Sequence, residues 1–173
     1  FDSIIASPFG NIAVGICYDA RRKHLYDNIK GRAISLILFP HGSPADPKKS
    51  ENEMRTNDFF CEAYLDAFGV PVIYVNSVGK MNFMLGNTGK MMMGAGFRLN
   101  GHSKIYSKTG ITIETDIPEA LGINIVLKQN ALQRKIRFYG NDINRGNLWF
   151  RNLIIKPDIK VGCHYYENNR KQR

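Results

Sequence analysis

The spacing of apolar residues near the start of the chain changes at one position. Apolar and small residues alternate over 10–16, as in a buried β-strand, and this run stops at Cys17. Apolar residues at helical spacing then recur within 20–30, and Asp19 is an acceptable N-cap for that helix. The pattern predicts a strand, a sharp turn at Cys17, and a helix that begins directly after it.

Two further apolar runs, over 34–39 and 70–75, have the length and composition of strands. A loop rich in Pro, Gly and Ser is predicted over 41–50, between the first run and the next helix. That helix is capped by Thr56 or Asn57.

The predicted helix runs to Gly69 and has an apolar stripe. The residues of the stripe are Phe60, Ala63, Tyr64 and Ala67. Cys61 lies beside the stripe, so we assign it to packing rather than to catalysis.

The remainder of the chain continues the alternation of elements. The glycine- and methionine-rich segment 79–96 is predicted to be a pliable loop near the pocket or an interface, and simple filling of packing gaps by the methionines is the alternative interpretation. Short strands are predicted over 104–107, 111–115 and 123–127. Strands that alternate with helices predict an α/β fold, with a single domain over 1–173.

Composition excludes several classes of protein. The chain has 43% hydrophobic and 23% charged residues and no apolar run long enough to cross a bilayer, so no membrane partner is expected. Its 3 cysteines are an odd number and have no metal-ligand spacing, and the 4 histidines are scattered. We therefore expect reduced thiols, a cytoplasmic location and no metal site.

The net charge of +9 is concentrated near the C-terminus, where 134–173 contains most of the excess Lys and Arg. A basic end raises the question of nucleic acid, but no zinc finger, helix-turn-helix or RNA-binding signature accompanies it. A solvated tail is the simpler interpretation, and a basic surface that attracts an acidic substrate is a second one. No nucleic-acid partner is expected.

A cysteine at the junction of a strand and a helix is well placed for chemistry. The positive end of the helix dipole and unpaired backbone N–H groups favour a thiolate there, and they also favour an oxyanion formed beside it. Cys17 is therefore the candidate nucleophile of this sequence.

Four segments resemble, in order, motifs of the carbon-nitrogen hydrolase (nitrilase) superfamily. The first is GICYDAR at 15–21, which is similar to the family's cysteine-nucleophile motif between a strand and a helix. The second, 31–40, resembles the next strand, which ends in Pro before a substrate loop. The third and fourth, 72–79 and 101–110, resemble the Asn-x-x-Gly strand end and the Gly-x-Ser segment. Tyr and Asp after the cysteine are more similar to the amidase branches than to true nitrilases.

The resemblance implies a fold of the nitrilase type, an α-β-β-α sandwich. It also implies that 1–173 is the C-terminal portion of one such domain, with a basic extension over about 145–173, because the family's Glu and Lys precede the cysteine and 1–16 holds only one charged residue, Asp2. We therefore expect that an N-terminal half is absent and that the chain alone is inactive and aggregates or unfolds. The family packs helices and tails across two-fold axes, which implies a homodimer or higher oligomer in which the C-terminal extension reaches a neighbouring subunit.

The resemblance also implies a reaction, the hydrolysis of a non-peptide carbon–nitrogen bond in a small amide or carbamoyl compound. Cys17 attacks the carbonyl carbon, and the Tyr18 backbone N–H and the family's Lys hold the oxyanion. The family's Glu transfers protons in both half-reactions, through a thioester and without a cofactor. Loops after adjacent strands are expected to line the substrate pocket at His41, Gly42, Ser43 and Asn76.

Two alternatives remain open at this stage. The segment 22–24 carries three basic residues where amidase-type members have an aromatic or aliphatic residue and Pro, which leaves the substrate undefined. The chain could be a catalytically silent scaffold subunit, in which case no Glu or Lys precedes Cys17 in the parent protein. It could instead be another Cys/His enzyme, in which case His41 or His102 lies about 3 to 3.5 Å from the Cys17 sulfur.

Overall fold

A computed structural model describes residues 3–84, 86–108, 114–115 and 125–170. The strands are β1 Ile4–Ser7, β2 Gly10–Val14, β3 Leu36–His41, β4 Pro44–Ala45, β5 Val72–Asn76, β6 Val78–Lys80, β7 Arg98–Asn100, β8 Ser103–Tyr106 and β9 Glu114–Thr115. The helices are α1 Lys23–Ile29, α2 Ser50–Phe68, α3 Gly86–Gly94, α4 Leu148–Phe150 and α5 Lys156–Arg170, with a 3₁₀ turn over Cys17–Arg21 and a π-helical turn over Arg151–Ile155. The fold is mixed α/β with a central sheet.

The central sheet has the strand order β1-β2-β3-β5-β8-β9, and a smaller sheet has the order β4-β7-β6. Strands β2, β3 and β5 are parallel, and β1 and β8 pair antiparallel at either side of them. Because β4 follows β3 and β6 follows β5 after short connections, the smaller sheet lies beyond the carboxyl edge of the parallel strands. Ligand sites in parallel sheets form at this edge.

One face of the central sheet packs against α1 and α2 and forms the core. Its buried side chains include Ala13, Ile37, Phe39, Val72 and Tyr74 from the strands, and Leu25, Ile29, Phe60, Tyr64 and Phe68 from the helices. Phe39 meets Tyr64 edge to face, with ring centroids 5.2 Å apart. This arrangement confirms the predicted inner stripe of α2.

The opposite face of the central sheet is also apolar. The strand register places eight apolar side chains on it: Ile5, Ile12, Val14, Leu36, Leu38, Ile73, Val75 and Ile105. Ile105 is buried, most of the others are half-buried, and Ile5 and Val75 are 55% and 51% exposed. We call these eight residues the second sheet face. The described residues establish the central sheet and one helical layer, and the four-layer sandwich stays a prediction.

The helix boundaries differ from the predicted ones. The residues after Cys17 form a 3₁₀ turn, α1 begins only at Lys23, and Arg22 occupies its N-cap position, so the prediction of Asp19 as the N-cap was wrong. Helix α2 begins at Ser50, within the predicted loop and ahead of the predicted caps, so Asn57 is a buried interior residue of that helix. The predicted end of α2 at Gly69 is confirmed.

Gly69 ends α2 in the left-handed conformation, with φ of 66°. The prediction of a pliable loop over 79–96 was wrong, because α3 occupies much of this segment and includes the three consecutive methionines. Methionine is a good helix former, and this preference outweighed the flanking glycines. Cys61 lies in the core, and burial raises the pKa of its thiol.

Later strands are partly confirmed. The strand predicted over 104–107 is present as β8. Of the strand predicted over 111–115, residues 114–115 form β9 and the others lie outside the described residues. The strand predicted over 123–127 is absent from 125–127, and 123–124 lie outside the described residues. The following segment instead makes one isolated bridge, from Asn130 to Ile34.

None of the helices described over 3–84, 86–108 and 125–170 combines the length and the apolar content needed to cross a membrane.

Candidate functional site

Cys17 opens the 3₁₀ turn at the carboxyl end of β2, and it is exposed. Its φ is 52°, and among the described non-glycine residues only Cys17 and His102 have a positive φ. An L-residue in the left-handed region costs about 1–2 kcal/mol, and such strain is concentrated at functional sites. The backbone therefore turns sharply at Cys17 and presents the thiol at the edge of the sheet.

Close packing explains the glycine that precedes the turn. Gly15 is buried, and a Cβ added there would lie 2.5 Å from Leu25 Cδ2 and 3.1 Å from Phe39 Cε1. A larger residue would require the Leu25 side chain to shift and would crowd the Phe39 ring. Gly15 thus allows the strand to pass beneath α1 and reach the turn.

A buried carboxylate holds the turn from one side. Asp142 is 4% exposed, and it accepts a hydrogen bond of 3.2 Å from the Tyr18 hydroxyl. The guanidinium of Arg22 lies 3.6 Å from it, and Arg151 pairs with its other oxygen. Burial, and then the nearby Asp142 carboxylate, raise the pKa of Tyr18. Because Asp142 lies far along the chain, the turn depends on the C-terminal region for its position.

A second network holds the turn from the side of α2. Arg21 donates a hydrogen bond of 3.2 Å to Asn57 Oδ1, and Asn57 Nδ2 donates one of 2.8 Å to the Tyr74 hydroxyl. The Arg21 guanidinium also lies over the Phe60 ring, 5.4 Å from its centroid. These contacts connect the turn to the core of the protein.

His41 ends β3 on the core face and is buried. Its ring stacks on Phe60 and is tilted against Tyr74, with centroids 5.6 and 4.7 Å apart. Burial, with Arg21 as a second cause, lowers the pKa of His41 to about 4. Neither ring nitrogen has a hydrogen-bond partner among the described residues, so His41 does not form a hydrogen-bonded pair with Cys17.

The other residues predicted to line the pocket lie at the same carboxyl edge. Gly42 is exposed, with open space where a Cβ would be. The Ser43 backbone N–H donates 2.8 Å to Asn76 Oδ1, which connects the loop after β3 to the end of β5. Asn76 is buried, and its Nδ2 also donates 3.1 Å to Asn100 Oδ1. Since β2, β3 and β5 are parallel, these loops are successive neighbours of the Cys17 turn.

A cleft of about 500 Å³ lies on the smaller sheet. Its walls come from β4, β6, β7 and the adjoining loops, and they include Lys80, Arg98, Asn100 and His102. His102, in the loop before β8, also lines this cleft. Within the described part of the chain, no group of three or more His, Cys, Asp or Glu side chains could hold a metal ion.

No protein-family profile matches the chain, and no curated protein matches it. Among solved structures it is similar to a carbon-nitrogen hydrolase from Helicobacter pylori G27, with 17% sequence identity and a TM-score of 0.47. The likeness covers 65% of this chain and 39% of that one. The chain therefore spans well under half the length of that structure.

Several residues that shape the site were not predicted. Asp142 and Asn57 have no motif or spacing that relates them to Cys17. The sequence singled out Tyr18 for its backbone N–H, whereas its side chain also has a role in anchoring the turn. Lys80 and Arg98 belong to strands too short to show periodicity, so the cleft had no sequence signal.

Proposed function

We propose that this chain carries the nucleophile of a carbon-nitrogen hydrolase of the nitrilase superfamily, in its amidase-like branch. The substrate is a small linear amide or carbamoyl compound. The observation that carries the proposal is the exposed, left-handed Cys17 at the carboxyl end of a parallel strand. The motif around Cys17 supports the same assignment independently.

The reaction consists of two acyl transfers. The Cys17 thiolate adds to the carbonyl carbon, and the tetrahedral oxyanion is stabilised by the Tyr18 backbone N–H. Collapse of this intermediate breaks the carbon–nitrogen bond, and the nitrogen leaves as ammonia or an amine after it receives a proton. Water then adds to the thioester, the carbon–sulfur bond breaks, and the acid product leaves with the thiol regenerated.

This chemistry needs a general base and a cation near Cys17. The resemblance assigns these roles to a Glu and a Lys upstream of the cysteine, and residues 1–16 contain neither. We therefore propose that polypeptide outside the 173 residues supplies both. His41 does not replace them, because its ring is enclosed by aromatic side chains and makes no hydrogen bond among the described residues.

The test is the turnover of amides by the natural protein that contains this sequence. Ammonia or amine release is measured over a panel of small amides and carbamoyl compounds, and acid-quenched samples are analysed by intact mass for an acyl adduct. Cys17→Ala should lower kcat by about a thousandfold or more, since the nucleophile is lost. The adduct should map to the peptide that contains Cys17.

Cys163→Ala provides the matched control, because Cys163 is also a free, exposed thiol and lies on α5. This variant should keep kcat within about twofold, as expected for a surface substitution away from the site. Activity of Cys17→Ala within tenfold of the parent protein would contradict the proposal. A parent protein with no turnover and no adduct would favour the scaffold alternative.

A further inference from the structure

The cleft on the smaller sheet has features of an anion-binding site. Arg98 of the middle strand β7 is paired by the strand register with Ala45 of β4 on one side and with Lys80 of β6 on the other. Side chains paired in this way share one face, with Cβ atoms about 4.5–5.5 Å apart. Arg98 and Lys80 therefore place two positive charges side by side in the cleft that both of them line.

Like charges paired directly across strands destabilise a sheet unless something compensates them. No carboxylate within the described residues forms an ion pair with Lys80 or Arg98. His102 lines the same cleft and is one of the two described non-glycine residues with a positive φ, at 54°. An anion bound between the two cations would compensate their repulsion.

A neutral donor lies on the same wall. Asn100 follows Arg98 by two residues in β7, so their side chains are on the same face of the strand, and both residues line the cleft. Its Oδ1 accepts from Asn76, while its Nδ2 is buried and has no hydrogen-bond partner among the described residues. A buried unpaired N–H costs about 1–3 kcal/mol, and a ligand oxygen would relieve this cost if the Asn100 side chain turned Nδ2 toward the cleft.

The Asn100 contact also connects the cleft to the proposed active-site edge. Asn100 is hydrogen-bonded to Asn76, and Asn76 is hydrogen-bonded to Ser43 in the loop after β3. The strand β3 is the direct parallel neighbour of β2, which leads to Cys17. A ligand in the cleft would therefore lie along the same carboxyl edge as the nucleophile.

We propose that this cleft binds an anionic group, a carboxylate or a phosphate, at the end of the substrate remote from the bond that is cleaved. Lys80 and Arg98 supply the positive charge and charge-assisted hydrogen bonds. The assignment of this anion to the substrate rests on the proposed hydrolase function. The proposal that the cleft binds an anion does not depend on that function.

The first arm of the test measures anion binding by calorimetric titration of the natural protein with succinate, inorganic phosphate and, as a neutral control, succinamide. We expect one of the two anions to bind, and the one that binds identifies the chemistry. The double variant Lys80→Gln/Arg98→Gln should weaken it by about tenfold or more, as loss of charge-assisted bonds implies. Lys128→Gln/Arg134→Gln removes the same charge from exposed positions outside the cleft and should have less than a twofold effect.

The second arm measures hydrolysis of amides of increasing chain length that carry the anionic group at the far end, each beside a neutral amide of equal length. The cleft variant should raise KM for the anionic series by about tenfold, and it should raise KM for the neutral series of equal length much less. The proposal would be overturned if neither succinate nor phosphate bound. It would also be overturned if the control variant weakened anion binding as much as the cleft variant does. Turnover without anion binding would refute this inference alone, and anion binding without turnover would support the cleft and refute the hydrolase function.

Discussion

At the scale of single residues, the backbone conformation of Cys17 distinguishes it from the other cysteines. Cys61 is packed in the core and Cys163 lies on an exposed helix, whereas Cys17 has a φ of 52°. A side chain with a Cβ is strained in this region and glycine is not. Strain of this kind at a cysteine supports a functional role for the side chain.

This strain predicts how two substitutions at Cys17 rank in stability. Cys17→Gly should be more stable than Cys17→Ala by about 1 kcal/mol, because only glycine adopts the left-handed region without a steric cost. The free energy of unfolding in urea measures the difference.

At Cys163 the glycine and alanine variants should rank in the opposite order of stability, which provides the control. In the interior of α5, Cys163→Gly should be less stable than Cys163→Ala by about 1 kcal/mol, since glycine is a poor helix former. An alanine variant at position 17 as stable as the glycine variant would contradict the left-handed conformation.

The sequence alone located the candidate nucleophile but not the contacts around it. The strand that stops at Cys17 is visible in the alternation of its side chains, so the candidate nucleophile could be located without coordinates. The contacts that fix its turn could not be found in that way. Asp142 lies 124 residues from Tyr18, and nothing in local spacing relates the two.

At the scale of elements, α3 depends on a residue from another helix. Asp158 of α5 accepts hydrogen bonds of 2.9 and 3.2 Å from the backbone N–H groups of Asn87 and Thr88 at the start of α3. A carboxylate at this position satisfies amides that no intrahelical carbonyl can reach, and it also interacts favourably with the helix dipole. Contacts from Thr88, and then the Asn87 amide, lower the pKa of Asp158 from its ordinary value of 3.8.

A lowered pKa in the folded state fixes the direction of a pH effect. The Asp158 carboxylate stabilises α3 above its ordinary pKa, and this contribution is lost as the pH falls through the folded-state value. Asp158→Ala should therefore speed hydrogen exchange of the α3 amides at pH 7, while below the lowered folded-state pKa of Asp158 the variant and the parent should exchange at more similar rates.

Glu167→Ala is the control for this prediction, because Glu167 is exposed on the same helix α5. It should leave the exchange of α3 unchanged at both pH values. An Asp158→Ala effect of equal size at pH 7 and at low pH would argue against a role for the carboxylate charge.

At the scale of the whole molecule, the second sheet face is the largest consequence of the topology. Of the eight apolar residues that define this face, only Ile105 is buried. Exposed apolar patches of this kind mark interfaces or promote association. The expectation that the chain aggregates when alone has a physical basis in this surface, and it stays a prediction.

Two substitutions on this face test that expectation. Ile5→Thr/Val75→Thr should reduce light scattering and the fluorescence of a bound hydrophobic dye, because it replaces the most exposed apolar side chains of the face. The urea midpoint should change little, since both side chains are already about half exposed.

The matched control is Ile159→Thr/Val161→Thr on α5, where the same two residue types are 55% and 61% exposed. If the control reduces scattering as much as the sheet variant does, association depends on general surface hydrophobicity and not on the second sheet face. No reduction in the sheet variant would contradict the prediction outright.

The sequence by itself determined the elements with a clear local period. The strand before Cys17, the strand that became β3, the inner stripe of α2 and its stop at Gly69 all follow from alternation, helical spacing or the conformational freedom of glycine. It did not determine the 3₁₀ turn after Cys17, because a turn of this length has no repeat that could be counted.

Tertiary structure alone decided the interactions that shape the site. The Asp142 carboxylate at the turn, the burial of His41 and the pairing of Lys80 with Arg98 all join segments that are distant in the chain. Such contacts depend on which strands become neighbours and in what register. The free energy of those pairings is a property of the folded chain as a whole, so no local pattern of residues records it.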